Sequence, residues 1–185
     1  MHLKLSQHEQ AGEYYQQAIE TYYQEDSRLG EDRDFILDVC WKLLEIDPLH
    51  TLAHRMLCQE YCQLGEFDEA IELYTTYASR LTEAALYEEA IAQYRNVLVL
   101  TPDDILIHQK CFSLLWKLHR KEDAVQELRK IAELAEKAGH LARVIECYKK
   151  ALKIMPSHGE LQAELRRVAK LVHTREQPLR LVVNK

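Results

Sequence analysis

The sequence predicts an all-α protein, a right-handed α-solenoid of about nine helices, and three observations support this class. Only five glycines and four prolines occur among 185 residues, and 47% of the residues are hydrophobic. This composition favours helices and excludes general disorder. Apolar residues recur at helical spacing between turns. Finally, Pro48, Pro102 and Pro156 are evenly spaced along the chain, which indicates a repeat array.

The apolar positions that precede each proline recur with the same period. The middle copy contains Ala90, Ile91, Tyr94, Val97, Leu98 and Leu100. The next copy contains Val144, Ile145, Tyr148, Ala151, Leu152 and Ile154, and the first copy contains Ile36, Leu37, Cys40, Leu43, Leu44 and Ile46. Each copy is therefore expected to bury this face against its neighbours.

Each complete repeat is predicted to hold three helices. In the central repeat the first covers Thr51–Leu64 and ends at Gly65, since glycine readily adopts the left-handed conformation of a helix stop. The second covers about residues 67–84. The third covers Tyr87–Leu100 and ends before Pro102, because the residue preceding a proline disfavours helix. Small residues on the second helices are expected where helices approach closely: Ala70, Ala78, Ala124 and Ala132.

The two ends of the array are expected to differ from its middle. The N-terminal copy contributes two helices, and one last helix follows Pro156. In that helix Arg166 replaces a packing residue, as a capping helix with one hydrated face requires. The predicted solenoid covers residues 8–173, and residues 174–185 are predicted to be a flexible tail. In the alternative interpretation, the tail residues Leu181, Val182 and Val183 dock on a neighbouring molecule.

Three segments resemble the tetratricopeptide repeat (TPR). They cover residues 64–74 (LGEFDEAIELY), 86–102 and 144–156, and the likeness extends over about residues 10–173. The three-helix period of about 54 residues departs from the family's 34-residue helix pair. The resemblance implies a non-catalytic adaptor that binds a peptide or helix of a partner protein in a groove.

The resemblance also places candidate partner-binding residues, by position alone. Family members that hold a partner's C-terminal carboxylate use Lys, Asn and Arg on their first helices. The corresponding positions here hold Arg55 and Gln59, Thr75 and Ser79, and Gln109 and Ser113. This set does not match the family's pattern, so a carboxylate clamp is not expected. Trp41 lies in a strongly apolar helix and is expected in the core. The candidates for partner binding are Arg55, Gln59, Thr75, Ser79, Gln109 and Trp116.

Charge divides along the chain. Residues 1–100 carry 7 Lys and Arg against 19 Asp and Glu, a net of −12, whereas residues 101–185 carry 17 against 11, a net of +6; together these give the overall −6. This division favours a second hypothesis, in which the basic end of one copy meets the acidic end of the next in a head-to-tail scaffold. A basic patch that would suit an acidic partner comprises Lys149, Lys150, Lys153, Arg166, Arg167 and Lys170, although a solvated helix face explains the same residues.

One group of side chains has the composition of a metal site. His50, His54, Cys58 and Cys62 follow one another at a spacing of four on a helix. The helix drifts by about 40° per four residues, so the four side chains cannot converge on one ion. His108 stands one repeat after His54, which favours a packing role. No metal and no cofactor are therefore predicted.

Other classes of function find little support in the sequence. The chain contains no glycine-rich phosphate loop and no nucleophile elbow, so an enzyme is not expected. The net acidity and the lack of interleaved aromatic residues disfavour nucleic acid. No stretch is apolar enough for membrane insertion, and no signal peptide is evident. Five scattered cysteines indicate a reducing, cytoplasmic location. The chain could also be one module of a larger protein.

Overall fold

The computed structural model describes the backbone of residues 2–24 and 33–183, and the side chains of residues 10–21 and 33–174. These residues form helices and no β-strand, which confirms the all-α prediction. The chain divides into two compact units, Met1–Leu100 and Thr101–Lys185. In the described residues the helices are α1 (His2–Gln24), α2 (Arg33–Ile46), α3 (Thr51–Leu64), α4 (Phe67–Glu83), α5 (Tyr87–Leu100), α6 (Ile105–Lys117), α7 (Lys121–Lys137), α8 (Leu141–Ile154) and α9 (Gly159–Val183).

Within each unit, every helix packs on the next one along the chain. In the first unit this sequence runs from α1 to α5, and in the second unit from α6 to α9. Turns of a few residues join most of the helices, so consecutive helices form hairpins. Each unit thus has the sequential packing of an α-solenoid built from TPR-like helical hairpins.

The turns between helices repeat as closely as the helices do. Among the described residues, four have a positive φ: Gly65 at 78°, Ala85 at 60°, His119 at 57° and Gly139 at 77°. His119 follows Gly65, and Gly139 follows Ala85, by the same interval that separates the three prolines. The predicted left-handed stop at Gly65 is confirmed. The backbone therefore keeps this conformation even where the residue is not glycine.

A side-chain hydrogen bond to the proline turn also recurs at this interval. The Nε2 atom of His54 donates to the carbonyl of Pro48 at 3.1 Å, and that of His108 donates to the carbonyl of Pro102 at 3.2 Å. In α9, Gln162 donates to the carbonyl of Pro156 at 2.9 Å. Each of these bonds ties the first turns of a helix to the turn that precedes it.

Small residues lie at the helix contacts, as predicted: Ala70, Ala78, Ala124 and Ala132 are all fully buried. The prediction for Trp41 is wrong, because its side chain is 44% exposed. The buried face of α2 comprises Ile36, Val39, Cys40, Leu43 and Leu44, and Trp41 lies outside this stripe.

The end of the chain continues α9. The backbone is helical to Val183, so residues 174–183 share a helix with the capping segment. Flexibility of residues 174–185 stays a prediction. The proposed docking of Leu181, Val182 and Val183 concerns side chains outside the described residues. In the described part of the chain, no helix combines the length and apolar character that crossing a membrane requires.

Candidate functional site

In each unit the described residues form an open cleft between helices that are next but one along the chain. The C-terminal cleft lies between α6 and α8, with α7 as its floor, and has a volume of about 350 Å³. Because α7 packs on both flanking helices, the cleft is part of the solenoid surface of the second unit. Its lining residues are Gln109, Phe112, Ser113, Leu128, Ile131, Arg143, Glu146, Cys147 and Lys150.

The C-terminal cleft has an apolar floor and a charged rim. Leu128 and Ile131 of α7 and Phe112 of α6 are buried. The Nζ atom of Lys150 lies 4.1 Å from the centroid of the Phe112 ring, a cation–π contact that holds the ammonium group over the cleft wall. With Arg143 the rim carries two cations. Glu146 is the one carboxylate among the lining residues that the structure describes, so the cations outnumber the carboxylates on the rim.

The N-terminal cleft belongs to the first unit and has a different character. It lies between α2 and α4 above α3 and has a volume of about 280 Å³. Aromatic side chains of α2 and α3 face carboxylates of α4 across it. Its lining residues are Trp41, His54, Tyr61, Glu69, Glu72, Leu73, Thr76 and Arg80.

Two equivalent histidines have opposite electrostatic environments. His54 is 2% exposed and its ring stacks on Tyr77, with centroids 3.8 Å apart. Burial lowers the pKa of His54. At His108, the Nδ1 atom lies 2.6 Å from the Oε2 atom of Glu127, and this hydrogen bond raises the pKa of His108 despite partial burial. Burial thus favours the neutral form of His54, whereas the hydrogen bond to Glu127 favours the imidazolium form of His108.

The predicted partner-binding residues fall in different places. Gln109 lines the C-terminal cleft. Arg55 and Gln59 lie on exposed positions of α3. Thr75 and Ser79 lie on the side of α4 that meets α5, since the Ser79 hydroxyl contacts the Tyr94 hydroxyl at 3.2 Å and donates to the carbonyl of Thr75. The side chain of Trp116 is 47% exposed on α6. Gln109 is the only one of these candidates that lines either cleft.

The predicted basic patch is distributed over two helices. Exposed positions of α8 hold Lys149, Lys150 and Lys153, and exposed positions of α9 hold Arg166 and Lys170. Lys150 lines the C-terminal cleft, which links the patch to that site.

Arg167 is engaged differently from the rest of the patch. Its guanidinium donates two hydrogen bonds of 2.7 Å to the carboxylate of Glu136 and a further bond to Glu164. These bonds raise the pKa of Arg167 and lower the pKa of Glu136. The charge of Arg167 is thus largely balanced within the unit.

The His and Cys ladder of α3 has structural roles. His50 caps the helix by accepting a hydrogen bond from the backbone of Ala53 at 3.3 Å. His54 bonds to Pro48, and the Cys58 thiol forms a hydrogen bond with Tyr74. Burial raises the pKa of Cys58 to about 12, so the thiol stays protonated. Among the side chains that the structure describes, no three His, Cys, Asp or Glu residues are grouped to hold a metal ion.

Sequence reasoning missed most of the cleft residues. The missed residues include Glu69 and Glu72 in the first unit and Arg143 and Glu146 in the second. A positional comparison with TPR first helices selects Thr75, whereas the neighbouring Thr76 lines the cleft. One residue turns the helix by about 100°, so the positional comparison selects a different face of α4. A charge pattern at spacing three, Glu69 and Glu72, is the sequence signal of the face that borders the cleft.

Comparisons with known proteins give the following result. No known protein family matches the sequence, and no curated protein matches it. Among solved structures, the chain is similar to TTC0263, a TPR protein of Thermus thermophilus, with 17% identity over 85% of this chain and 98% of that one and a TM-score of 0.28. It is similar to residues 41 to the end of MamA from Desulfovibrio magneticus RS-1, with 11% identity over 89% of this chain and 96% of that one and a TM-score of 0.38. It is also similar to YrrB, described as a TPR protein with an unusual peptide-binding site. The identity is 14% over 84% of this chain and 99% of that one, and the TM-score is 0.32. Since these scores are below 0.5, the fold description depends on the helices of this chain.

Proposed function

We propose that this protein is a non-catalytic interaction scaffold that binds a segment of a partner protein in the C-terminal cleft. The observation that carries the proposal is the combination of an apolar floor with a charged rim in one open groove. Leu128 and Ile131 supply the floor, and Arg143 and Lys150 supply the positive rim. An apolar anchor gives such a complex its affinity, while charges set orientation and encounter rate.

The chemistry of the cleft defines the partner segment. An apolar side chain would insert between Phe112 and the α7 floor, and an acidic residue beside it would meet Lys150. Gln109 and Ser113 lie on the α6 side of the cleft and can bond to the segment's backbone. Residues 101–185 carry a net charge of +6, which supports the same preference for an acidic segment.

Selection from a displayed library of random peptides tests the proposal. The immobilised full chain should enrich peptides that contain an apolar residue next to Asp or Glu. Binding of one such peptide, labelled for fluorescence anisotropy, should weaken by about tenfold or more with Lys150→Glu, because a favourable charge pair becomes a repulsive one.

A neighbouring lysine provides the matched control. Lys149 lies on the same helix with an exposed side chain and does not line the cleft. Lys149→Glu makes the same change in net charge and should alter affinity less than threefold at about 0.15 M salt, where distant charges are screened. Equal losses of affinity with Lys150→Glu and Lys149→Glu would show that net charge alone determines binding of the peptide. The C-terminal cleft would then not be the binding site.

A second candidate function is head-to-tail assembly of copies into a scaffold. The observation that favours it is that the boundary between the compact units coincides with the change in charge, from −12 in residues 1–100 to +6 in residues 101–185. Opposite potentials would bring the second unit of one copy to the first unit of another. Light scattering at low salt and high protein concentration should then give masses above the monomer that fall as salt rises. A monomer mass throughout would refute this candidate.

A further inference from the structure

We propose that the N-terminal cleft is a second binding site, which receives the arginine or lysine side chain of a basic segment of a partner protein. The inference extends the proposed function to a different site, and it depends on the chain being a binder of protein segments. Four observations on the first unit support it.

The first observation is the composition of the cleft walls. Trp41 projects from α2 with 44% of its side chain exposed, and Tyr61 stands on α3. A guanidinium or ammonium group is attracted to the face of an aromatic ring, most strongly to that of tryptophan. The exposed ring of Trp41 and the half-buried ring of Tyr61 thus give the cleft an aromatic wall that can contact a cation.

The second observation is a pair of carboxylates opposite the aromatic wall. Glu69 and Glu72 are one helical turn apart on α4, and both are exposed on the cleft. A guanidinium donates paired hydrogen bonds to carboxylates, so this pair and the rings together match a cationic side chain.

The third observation concerns His54, a residue that lines the same cleft and has one ring nitrogen without a hydrogen-bond partner. Its Nε2 atom donates to Pro48, so the neutral ring carries an acceptor at Nδ1, and Nδ1 has no hydrogen-bond partner among the described residues. In the second unit the equivalent Nδ1 of His108 bonds to Glu127. The residue one repeat before Glu127 is Leu73, which lines the N-terminal cleft. The Nδ1 atom of His54 is buried, so the ring contributes an acceptor beneath the cleft wall and no positive charge.

The fourth observation is the position of Arg80, the one cation among the lining residues that the structure describes. Its guanidinium donates to the carbonyl of Pro48 at 3.3 Å. Arg80 follows Glu72 at a distance of about 12 Å along α4. The cleft is thus negative at the end nearer the start of α4 and positive at the other end. The incoming cation belongs at the Glu69 and Glu72 end.

Charge complementarity also identifies the occupant as a basic segment. Residues 1–100 carry 19 acidic and 7 basic side chains, so a positive segment is attracted to the whole unit before it reaches the cleft. The positive charge of the occupant distinguishes this site from the C-terminal cleft, which selects the opposite charge.

The test uses the full chain with Trp116→Phe. Since the chain has two tryptophans, Trp41 then reports alone on its cleft. Peptides are selected from a displayed random heptapeptide library on the immobilised protein. We expect a class with Arg or Lys at a fixed position, and we expect its binding to change the emission of Trp41. Replacing that residue by norleucine in the synthetic peptide should weaken binding by about tenfold or more.

Variants of α4 locate the site. Glu72→Gln should weaken binding of the basic peptide by about tenfold, since an amide keeps the shape and removes the charge. Glu83→Gln on the same helix is the matched control, because Glu83 is exposed and does not line the cleft; it should change affinity less than threefold. Circular dichroism confirms that both variants fold.

Each outcome has a defined meaning. Absence of basic peptides from the selection, or equal affinity with Glu72→Gln and with Glu83→Gln, would overturn the inference. If acidic peptides that respond to Lys150→Glu are still recovered, the proposed function stands while this inference fails. If light scattering shows copies of the chain that dissociate with Glu72→Gln, the occupant is a second copy and the assignment to another protein is wrong.

Discussion

The strongest test of the repeat geometry exchanges glycine and alanine at two equivalent turns. Ala85 has a φ of 60° and Gly139 has a φ of 77°, and they occupy the same position in successive repeats. An L-residue with a side chain pays roughly 1–2 kcal/mol in this left-handed conformation. Glycine avoids that cost but loses more entropy on folding, by roughly 0.4–1 kcal/mol. We therefore expect Ala85→Gly to stabilise the protein by roughly 0.5–1 kcal/mol.

The reverse change should have the opposite effect. A Cβ atom built on Gly139 meets no other atom within 4 Å, so the cost of Gly139→Ala is that of the backbone alone. We expect a loss of roughly 0.5–1 kcal/mol by the same arithmetic. Urea unfolding followed by circular dichroism measures both free energies, and in Trp116→Phe or Trp41→Phe backgrounds the remaining tryptophan reports on its own unit.

Ala84 provides the control for this pair. It is an exposed neighbour of Ala85 with a φ of −76°, where alanine is not strained. Ala84→Gly should therefore lower the free energy of unfolding by about 0.5–1 kcal/mol. Loss of stability in Ala85→Gly similar to that in Ala84→Gly would refute the assignment of a left-handed turn at Ala85.

Three further results are expected. NMR titration of the imidazole signals should give a pKa below 6.5 for His54, because its ring is buried. It should give a pKa above 6.5 for His108, because that ring is hydrogen-bonded to Glu127. The same pKa for both histidines would contradict the two environments. Folding raises the pKa of His108, so its pair with Glu127 stabilises the fold fully below pH 6.5. This stabilisation is lost as the pH rises through the pKa of His108 in the folded state. Glu127→Gln should therefore lower the free energy of unfolding by roughly 1–3 kcal/mol at about pH 5.5 and by less at about pH 8.5. Urea unfolding at each pH measures this difference. Equal losses of stability at the two pH values would argue against the ion pair. Ala132→Leu should cost roughly 1–3 kcal/mol in the same assay by overpacking a fully buried contact, and an unchanged midpoint would show that the contact has room.

The helices and their ends could be predicted from the sequence because they depend on local signals. The expected helices Thr51–Leu64 and Tyr87–Leu100 have those bounds in the structure, and the helix expected over 67–84 ends at Glu83. Gly65 ends one helix through its left-handed φ, and Pro102 follows the end of another. Such signals act within a few residues, so no knowledge of neighbouring helices is needed.

The site could not be predicted in the same way because it depends on which helices face each other. The sequence places Trp41 in the core because α2 is apolar on several sides, but one of those sides borders the open cleft opposite α4. His54 and His108 occupy the same position of the repeat, yet one stacks on Tyr77 and the other bonds to Glu127. Only the packing of the next helix distinguishes the two.

The central claim, that the C-terminal cleft binds a protein segment, is tested most directly by hydrogen–deuterium exchange of the full chain with and without a selected acidic peptide. The account predicts slower exchange in α6 around Gln109 and Ser113 and in α8 around Arg143 and Lys150, the helices that flank the cleft. Protection confined to other helices, or none at a saturating concentration of the peptide, would contradict it.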